Sequence, residues 1–188
     1  MRIIGGKFKG RALKAPKSQD IRPTTDRIRE NLFNIISHNF GEHLDNTRVL
    51  DLFAGTGALG IEALSRGARF ALFIENSIEG RGLLRENIES LSLQGHSKVF
   101  RRDAANLGPI GSLGQFDLVF ADPPYDQNLG EKAAASLIKG GWLSPSALLI
   151  LEESKESAPD SLPGYEHIEA KTYGATKISI FRLIENQK

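Results

Sequence analysis

At 188 residues the chain is long enough for one domain with a small appendage, and it can bury a sizeable core. Its 40% hydrophobic and 25% charged residues are those of a soluble globular protein. No apolar run reaches membrane-spanning length, and the opening Met1-Arg-Ile-Ile-Gly-Gly-Lys7 lacks a secretory core, so a cytoplasmic protein with no membrane partner is expected. The absence of cysteine excludes disulfides, thiolate-bound zinc, iron–sulfur clusters and a cysteine nucleophile.

The net charge of +1 hides an asymmetry: residues 1–30 hold nine Lys/Arg against three acids, a local +6, while the remainder carries −5. Residues 2–4 and 11–15 flank the glycine-rich turn Gly5 to Gly10 and predict a hairpin with basic tips. A basic extension over 1–20, ahead of a main domain over 21–188, suggests that a polyanion docks at the N-terminal end. Candidate phosphate contacts are Lys7, Lys9, Arg11, Arg22, Arg27 and Arg29. Pro23-Thr-Thr-Asp26 supplies helix-start residues, and Ile28, Leu32, Ile35, Ile36 and Phe40 recur at helical spacing. A helix over 25–39 follows, with Arg27 and Arg29 off its apolar stripe.

From Arg48 onward the pattern alternates. Strands are predicted at 48–53, 69–74, 97–101, 116–121 and 146–151, with helices at 58–66, 77–92 and 129–139. Such alternation implies a mostly parallel α/β sheet with helices on both faces. Tyr165 to Thr172 and Lys177 to Leu183 are separated by a connection too short for a crossover helix, so they should form an antiparallel hairpin at the end of the chain.

Between the first of these strands and its helix lies Asp51-Leu-Phe-Ala-Gly-Thr-Gly57-Ala-Leu-Gly60, with Glu75 ending the next strand. The glycine spacing alone fits a dinucleotide-binding turn. Asp51 alters that reading, because a carboxylate at the mouth of the loop repels pyrophosphate and attracts an ammonium group. The preferred ligand is therefore S-adenosylmethionine, with Asp51 near its amino group, the glycine turn beneath it and Glu75 accepting from the ribose hydroxyls. Asp103 lies beyond the third strand and would suit the adenine amino group. The capping role common to such carboxylates is the alternative for Asp51.

Asp122-Pro-Pro-Tyr125 follows the buried strand 116–121. Two prolines stiffen the loop and fix two acceptors, the Asp122 carboxylate and the Pro123 carbonyl, beside an aromatic ring. An exocyclic base amine is a poor nucleophile because its lone pair is delocalised. Two acceptors on its hydrogens localise that pair and aim it, while Tyr125 stacks on the base. Positioning of this kind can contribute roughly 7–11 kcal/mol, and no metal is required.

The pairing of Asp51-Leu-Phe-Ala-Gly-Thr-Gly57 with Asp122-Pro-Pro-Tyr125 resembles the class I methyltransferases that act on amino nitrogens. Arg22-Pro-Thr-Thr-Asp-Arg-Ile-Arg-Glu-Asn-Leu-Phe33, the opening Arg2-Ile-Ile-Gly-Gly6 and the closing Tyr173-Gly-Ala-Thr-Lys-Ile-Ser-Ile-Phe181 narrow the match. Together they resemble the bacterial family that methylates the guanine N2 amino group of small-subunit ribosomal RNA, almost end to end. The resemblance implies a Rossmann-like seven-stranded sheet with a reversed last strand, and a small-subunit ribosomal RNA substrate within a 30S-type particle. It implies a catalytic loop of Asp122, Pro123, Pro124 and Tyr125. It also implies an S-adenosylmethionine site of Asp51, Phe53, Ala54, Gly55, Thr56, Gly57, Glu75, Asp103, Ala104 and Asp122. A monomer is expected. Adenine N6 methylation of nucleic acid, methylation of a protein side-chain amide, a non-catalytic RNA-binding module and a nicotinamide oxidoreductase remain the alternatives, because no local residue separates guanine from adenine.

Overall fold

The computed structural model describes residues 1–16, 26–40, 44–125 and 127–184, with the side chains of residues 39 and 40 left out. Its strands form a seven-stranded sheet in the order β3-β2-β1-β4-β5-β7-β6, and by packing the chain divides into two compact units, Met1–Arg101 and Arg102–Lys188.

The first unit contains α1 (Asp26–Phe40), β1 (Arg48–Leu52), α2 (Ala58–Ser65), β2 (Phe70–Ile74), α3 (Ile78–Ser90) and β3 (Ser97–Phe100). β1 runs parallel to β2 with Asp51 opposite Phe73, and β2 runs parallel to β3 with Ile74 opposite Phe100. Val49, Leu50 and Leu52 are buried without alternation, as are Ala71 to Ile74. Strands that read as continuous apolar runs are those covered on both faces, which is the parallel-sheet signature. α3 begins at the Ser77 cap, whose hydroxyl accepts from the Gly80 amide at 3.0 Å.

The predicted N-terminal hairpin exists in a reduced form. Arg2 and Ala12 make a single antiparallel bridge, supported by amide bonds from Ile3 to Arg11 O and from Leu13 to Met1 O. Its tip is a 3-10 turn, Gly6–Phe8. The ladder stops because other acceptors take the backbone donors. The Ile4 and Gly5 amides both donate to the Glu62 carboxylate of α2 at 2.8 Å, and the Phe8 amide donates to Ser65 Oγ at 2.9 Å. Lys14 N donates to Asn87 Oδ1 at 2.7 Å, and Asn87 Nδ2 returns a bond to Lys14 O. Within the first unit the arm is therefore docked on α2 and α3. The expected boundary at residue 20 falls outside the described residues.

The second unit contains β4 (Phe116–Ala121), α4 (Leu129–Lys139), β5 (Leu143–Ser154), β6 (Tyr165–Tyr173) and β7 (Thr176–Leu183). β4 and β5 are parallel, while β7 is antiparallel to both β5 and β6, as the short connection required. β5 starts three residues earlier and ends three later than the predicted 146–151. Its register against β4 shifts between Phe116/Leu143 and Leu118/Leu148, which leaves Pro145 and Ser146 exposed, the latter at φ 57°. A proline lacks the donor a central ladder needs, so it sits in the irregularity. Trp142 is fully buried ahead of β5, stacks on Phe116 at 6.1 Å and donates from its indole nitrogen to Gly108 O at 2.8 Å. No described helix is long and apolar enough to cross a membrane.

Glu62 is fully buried and also binds Arg66 Nε at 2.8 Å. Replacing it with alanine leaves two amides and a guanidinium without their acceptor, a loss of about 3–5 kcal/mol for a broken buried pair. Glu62→Ala is expected to lower the thermal midpoint by roughly 6–20 °C and to expose residues 1–16 to protease. An unchanged midpoint would show that the arm is not held there.

Candidate active site

The β1–α2 loop is built from alternating left-handed residues: Phe53 at φ 57°, Gly55 at 53° and Gly57 at 78°. The phenylalanine is strained by of order 1–3 kcal/mol, a cost that persists only where the surroundings impose it. Those surroundings are visible. Ala54 N donates to Ile74 O at 3.0 Å, Gly57 N donates to Ala54 O at 2.7 Å, and Gly55 N donates to Glu75 Oε2 at 2.7 Å. Glu75 Oε1 accepts from Ser77 N at 2.7 Å, and its own amide donates to Phe100 O, so both the β1 and the β2 loops are tied to this carboxylate.

Gly57 has no room for a side chain, since a Cβ there would lie 2.3 Å from Leu84 Cδ1. Gly55 is different. The nearest atom to its virtual Cβ is 4.0 Å away, so the loop presents an open backbone face there. Thr56 O accepts from Asn87 Nδ2 at 2.9 Å, and the Thr56 hydroxyl lies 3.8 Å from Met1 Sδ.

Asp51 is 3% exposed, and its Oδ2 accepts from the Gly60 amide at 2.9 Å, in the first turn of α2. The capping role raised for it is therefore realised, from a strand position rather than from the residue before the helix. Burial, aided by the nearby Glu75 charge and opposed by the Gly60 bond, pushes its carboxyl up to about 8.

In the second unit, Asp122 is half-buried, Pro123 buried, Pro124 exposed and Tyr125 half-buried at the carboxyl end of β4. The Tyr125 hydroxyl donates to Glu152 Oε1 at 3.3 Å and sits 3.1 Å from Thr176 Oγ1. Burial pushes this phenol up to about 12; the Thr176 bond opposes the shift, and the charges of Glu152 and Asp122 add to it. The phenol is thus a neutral donor, held through its hydroxyl by two anchors. Asp103 is exposed and caps the 3-10 turn Ala104–Asn106 by accepting from Ala105 N at 2.9 Å, while Ala104 is buried.

The basic candidates separate. Lys7, Lys9, Arg11 and Arg27 are exposed, with Arg11 Nη2 donating to Ser90 O at 3.1 Å and Lys7 Nζ 5.3 Å from the Phe8 ring. Arg22 lies outside the described residues. Arg29, placed by helical spacing on the outer face of α1, is instead 1% exposed. Its Nη2 donates to Asp26 Oδ1 at 2.8 Å and to the Arg2 carbonyl at 2.7 Å. The tertiary contact with residue 2 turns this position inward, which the local pattern of α1 cannot reveal.

Four residues escaped the sequence reading: Ile78, Asn87, Glu152 and Thr176. Ile78 begins α3 at 82% exposure, an apolar side chain left in solvent three residues past Glu75. Asn87 is a polar residue among the buried Leu84, Ile88 and Leu91, a visible interruption of an apolar stripe. Glu152 closes the apolar run Ala147–Leu151, where an acid inside a strand is the available signal.

Asp51 sets a pH dependence. A carboxyl raised from its ordinary value to about 8 makes the unfolded state release its proton first, so stability falls as pH rises from about 4 to about 8 and levels off above. The ligand-free protein should lose up to about 1.4 kcal/mol per pH unit in that window from this group. Asp51→Asn should flatten the slope; a slope equal to that of the parent, measured by denaturant unfolding at pH 5 to 9, would contradict the assignment.

Comparison with known proteins agrees with the motifs. The model of the family described as conserved hypothetical protein 95 matches residues 1–182. Ribosomal RNA small subunit methyltransferase D of Haemophilus influenzae is 34% identical, over 99% of this chain and 94% of its own length. The protein of the same name from Escherichia coli K12 is 38% identical, over 87% and 79%. The solved structure of yhhF from Escherichia coli superposes with a TM-score of 0.83 at 31% identity, covering 99% of both chains. A match that runs through the arm, the glycine loop and the Asp-Pro-Pro-Tyr loop alike is one of common descent: the chain belongs to the conserved hypothetical protein 95 family, and its Haemophilus and Escherichia relatives carry the name of ribosomal RNA small subunit methyltransferases.

Proposed function

We propose that this chain is an S-adenosylmethionine-dependent methyltransferase that modifies the N2 amino group of a guanine in small-subunit ribosomal RNA, within an assembling or assembled 30S-type particle. The observation that carries the reading is the proline-stiffened acceptor pair of Asp122 and Pro123 beside a tyrosine ring anchored through its hydroxyl. The relatives named as small-subunit ribosomal RNA methyltransferases support the substrate class.

The residues of the first unit fit the cofactor. Gly55 offers an open backbone face, the exposed Ile78 side chain suits the apolar face of an adenine, and Glu75 has acceptor capacity beyond its two amides for ribose hydroxyls. Asp51, Phe53, Ala54, Thr56 and Gly57 complete this unit's share of the assigned site, with Asp51 regaining its charge beside the amino group of the methionine moiety; Asp103, Ala104 and Asp122, of the second unit, are assigned to the cofactor by the family resemblance. When bound, S-adenosylmethionine supplies an electrophilic methyl group on a sulfonium.

The remaining chemistry belongs to the protein. Asp122 and the Pro123 carbonyl accept hydrogen bonds from the base amine and localise its lone pair. Asp122 takes the proton that leaves as the nitrogen acquires its methyl group. Tyr125 stacks on the extruded base, returning roughly 1–3 kcal/mol of the few lost on unstacking. Lys7, Lys9, Arg11, Arg22 and Arg27 carry phosphate contacts, with residues 1–20 as the basic extension, whereas Arg29 braces α1. The reading puts the reaction in the cytoplasm and takes the chain as a monomer.

The test is incubation of the protein and labelled S-adenosylmethionine with small subunits from a strain lacking the activity, followed by nucleoside digestion and mass analysis. N2-methylguanosine is expected, and Asp122→Ala should lower kcat by at least about a hundredfold. Methyladenosine would replace the base assignment; no product on subunits or naked RNA would overturn the RNA substrate and leave a protein substrate or a non-catalytic role. Changing Lys7, Lys9 and Arg11 together to alanine should weaken RNA binding and flatten its salt dependence by about two to three in log–log slope, with cofactor affinity unchanged. An unaltered slope would mean that the arm does not touch phosphate.

A further inference from the structure

The buried face of α3 meets both the glycine loop and the N-terminal arm of the first unit at one side chain. Leu84, Asn87 and Ile88 form the inward stripe of the helix, and Leu84 packs beneath Gly57, where a Cβ would lie 2.3 Å from its Cδ1. One turn on from Leu84, Asn87 is 1% exposed.

A buried amide is costly unless its polar atoms are bonded, and both ends of this one are. Asn87 Nδ2 donates to Thr56 O at 2.9 Å and to Lys14 O at 3.1 Å, while Oδ1 accepts from Lys14 N at 2.7 Å. The two bonds to residue 14 give the arm what a neighbouring strand would give it. The third reaches the loop after β1.

That third bond meets the most constrained part of the loop. Thr56 lies between Gly55 and Gly57, both left-handed, and Phe53 before them is left-handed too. A rearrangement there swings the Thr56 carbonyl away and strands a buried Nδ2 hydrogen. The amide can find a new acceptor only by turning, and turning releases Lys14. The tip of the arm is held differently: Ser65, the last residue of α2, accepts from Phe8 N at 2.9 Å and donates to Gly5 O at 2.6 Å.

Resting on the reading that this loop binds S-adenosylmethionine and this arm binds RNA, we propose that Asn87 is a positioning residue that couples the two ligands. Cofactor seated on the open face at Gly55 fixes the Thr56 carbonyl, Asn87 passes that order to the backbone of Lys14, and the arm meets RNA already placed. By linkage, bound RNA tightens the cofactor by the same factor.

The test uses the full-length protein, S-adenosylhomocysteine as a ligand with no methyl group to transfer, and small subunits from a strain lacking the activity. Saturating S-adenosylhomocysteine should tighten subunit binding at least about fivefold, and saturating subunits should tighten S-adenosylhomocysteine equally. A factor of one in the unaltered protein would overturn the proposal without any variant.

Asn87→Asp keeps the acceptor for Lys14 N and loses both donors, so its coupling factor should fall to about one. Ser65→Ala frees the tip and spares the loop; it should weaken subunit binding alike with and without S-adenosylhomocysteine, and keep the parent's factor. If Asn87→Asp weakens both ligands yet keeps that factor, Asn87 is merely structural and the proposal fails. Should that variant not fold, amide exchange of the unaltered protein decides. S-adenosylhomocysteine should slow exchange of the Lys14 amide at least about fivefold more than that of the Phe8 amide; equal slowing would overturn the proposal. Absence of S-adenosylhomocysteine binding would refute the cofactor reading itself, and this inference with it.

Discussion

One carboxylate carries the arrangement of the first unit. Glu75 receives the amides of Gly55 and Ser77, one from the loop after β1 and one from the loop after β2. Backbone donors at such turns have no partner within their own element, and each unpaired buried donor costs of order 1–3 kcal/mol. By accepting both, Glu75 fixes the positions of the two loops and permits Phe53 to stay in a left-handed conformation. The β1–β2 register, the opening of α2 at Gly57 and the bond from Gly60 to Asp51 all presuppose that loop geometry.

The second unit solves a related problem with different means. Its loop is stiffened covalently by Pro123 and Pro124, and its aromatic ring is immobilised by hydrogen bonds from outside the loop, on β5 and at the start of β7. Rigidity of this kind matters for transfer to a weak nucleophile, because most of the barrier reduction comes from orientation achieved before the reaction. In the first unit acidic groups organise backbone amides, whereas in the second they surround a neutral phenol.

Much of this was legible in the residues. The apolar runs of β1, β2 and β4, interrupted in β1 by Asp51 and in β4 by Asp117, identify a sheet covered on both faces, and the short Tyr173 to Thr176 connection permits only an antiparallel turn. The Asp-Pro-Pro-Tyr segment states its own stiffness. What local pattern cannot carry is contact between residues far apart in sequence. Arg29 reads as a surface charge until residue 2 supplies a carbonyl for it, and Glu152 reads as the polar end of a strand until Tyr125 arrives from 27 positions away. β5 extends through Pro145 because the sheet absorbs the proline in a register shift against β4, a tertiary accommodation that local pattern does not show.

The capture of the Ile4 and Gly5 amides by Glu62 has a consequence for recognition. Many basic segments that meet nucleic acid are disordered beforehand and must surrender conformational freedom on contact, which subtracts from the affinity their charges provide. Here that entropy has already been spent in folding, since the Ile4 and Gly5 amides are bonded to a buried acid and the Phe8 amide to Ser65. In the proposed RNA contact Lys7 and Lys9 thus act from a backbone already held in place, which suits them to the spacing of phosphates on an RNA that is itself already folded.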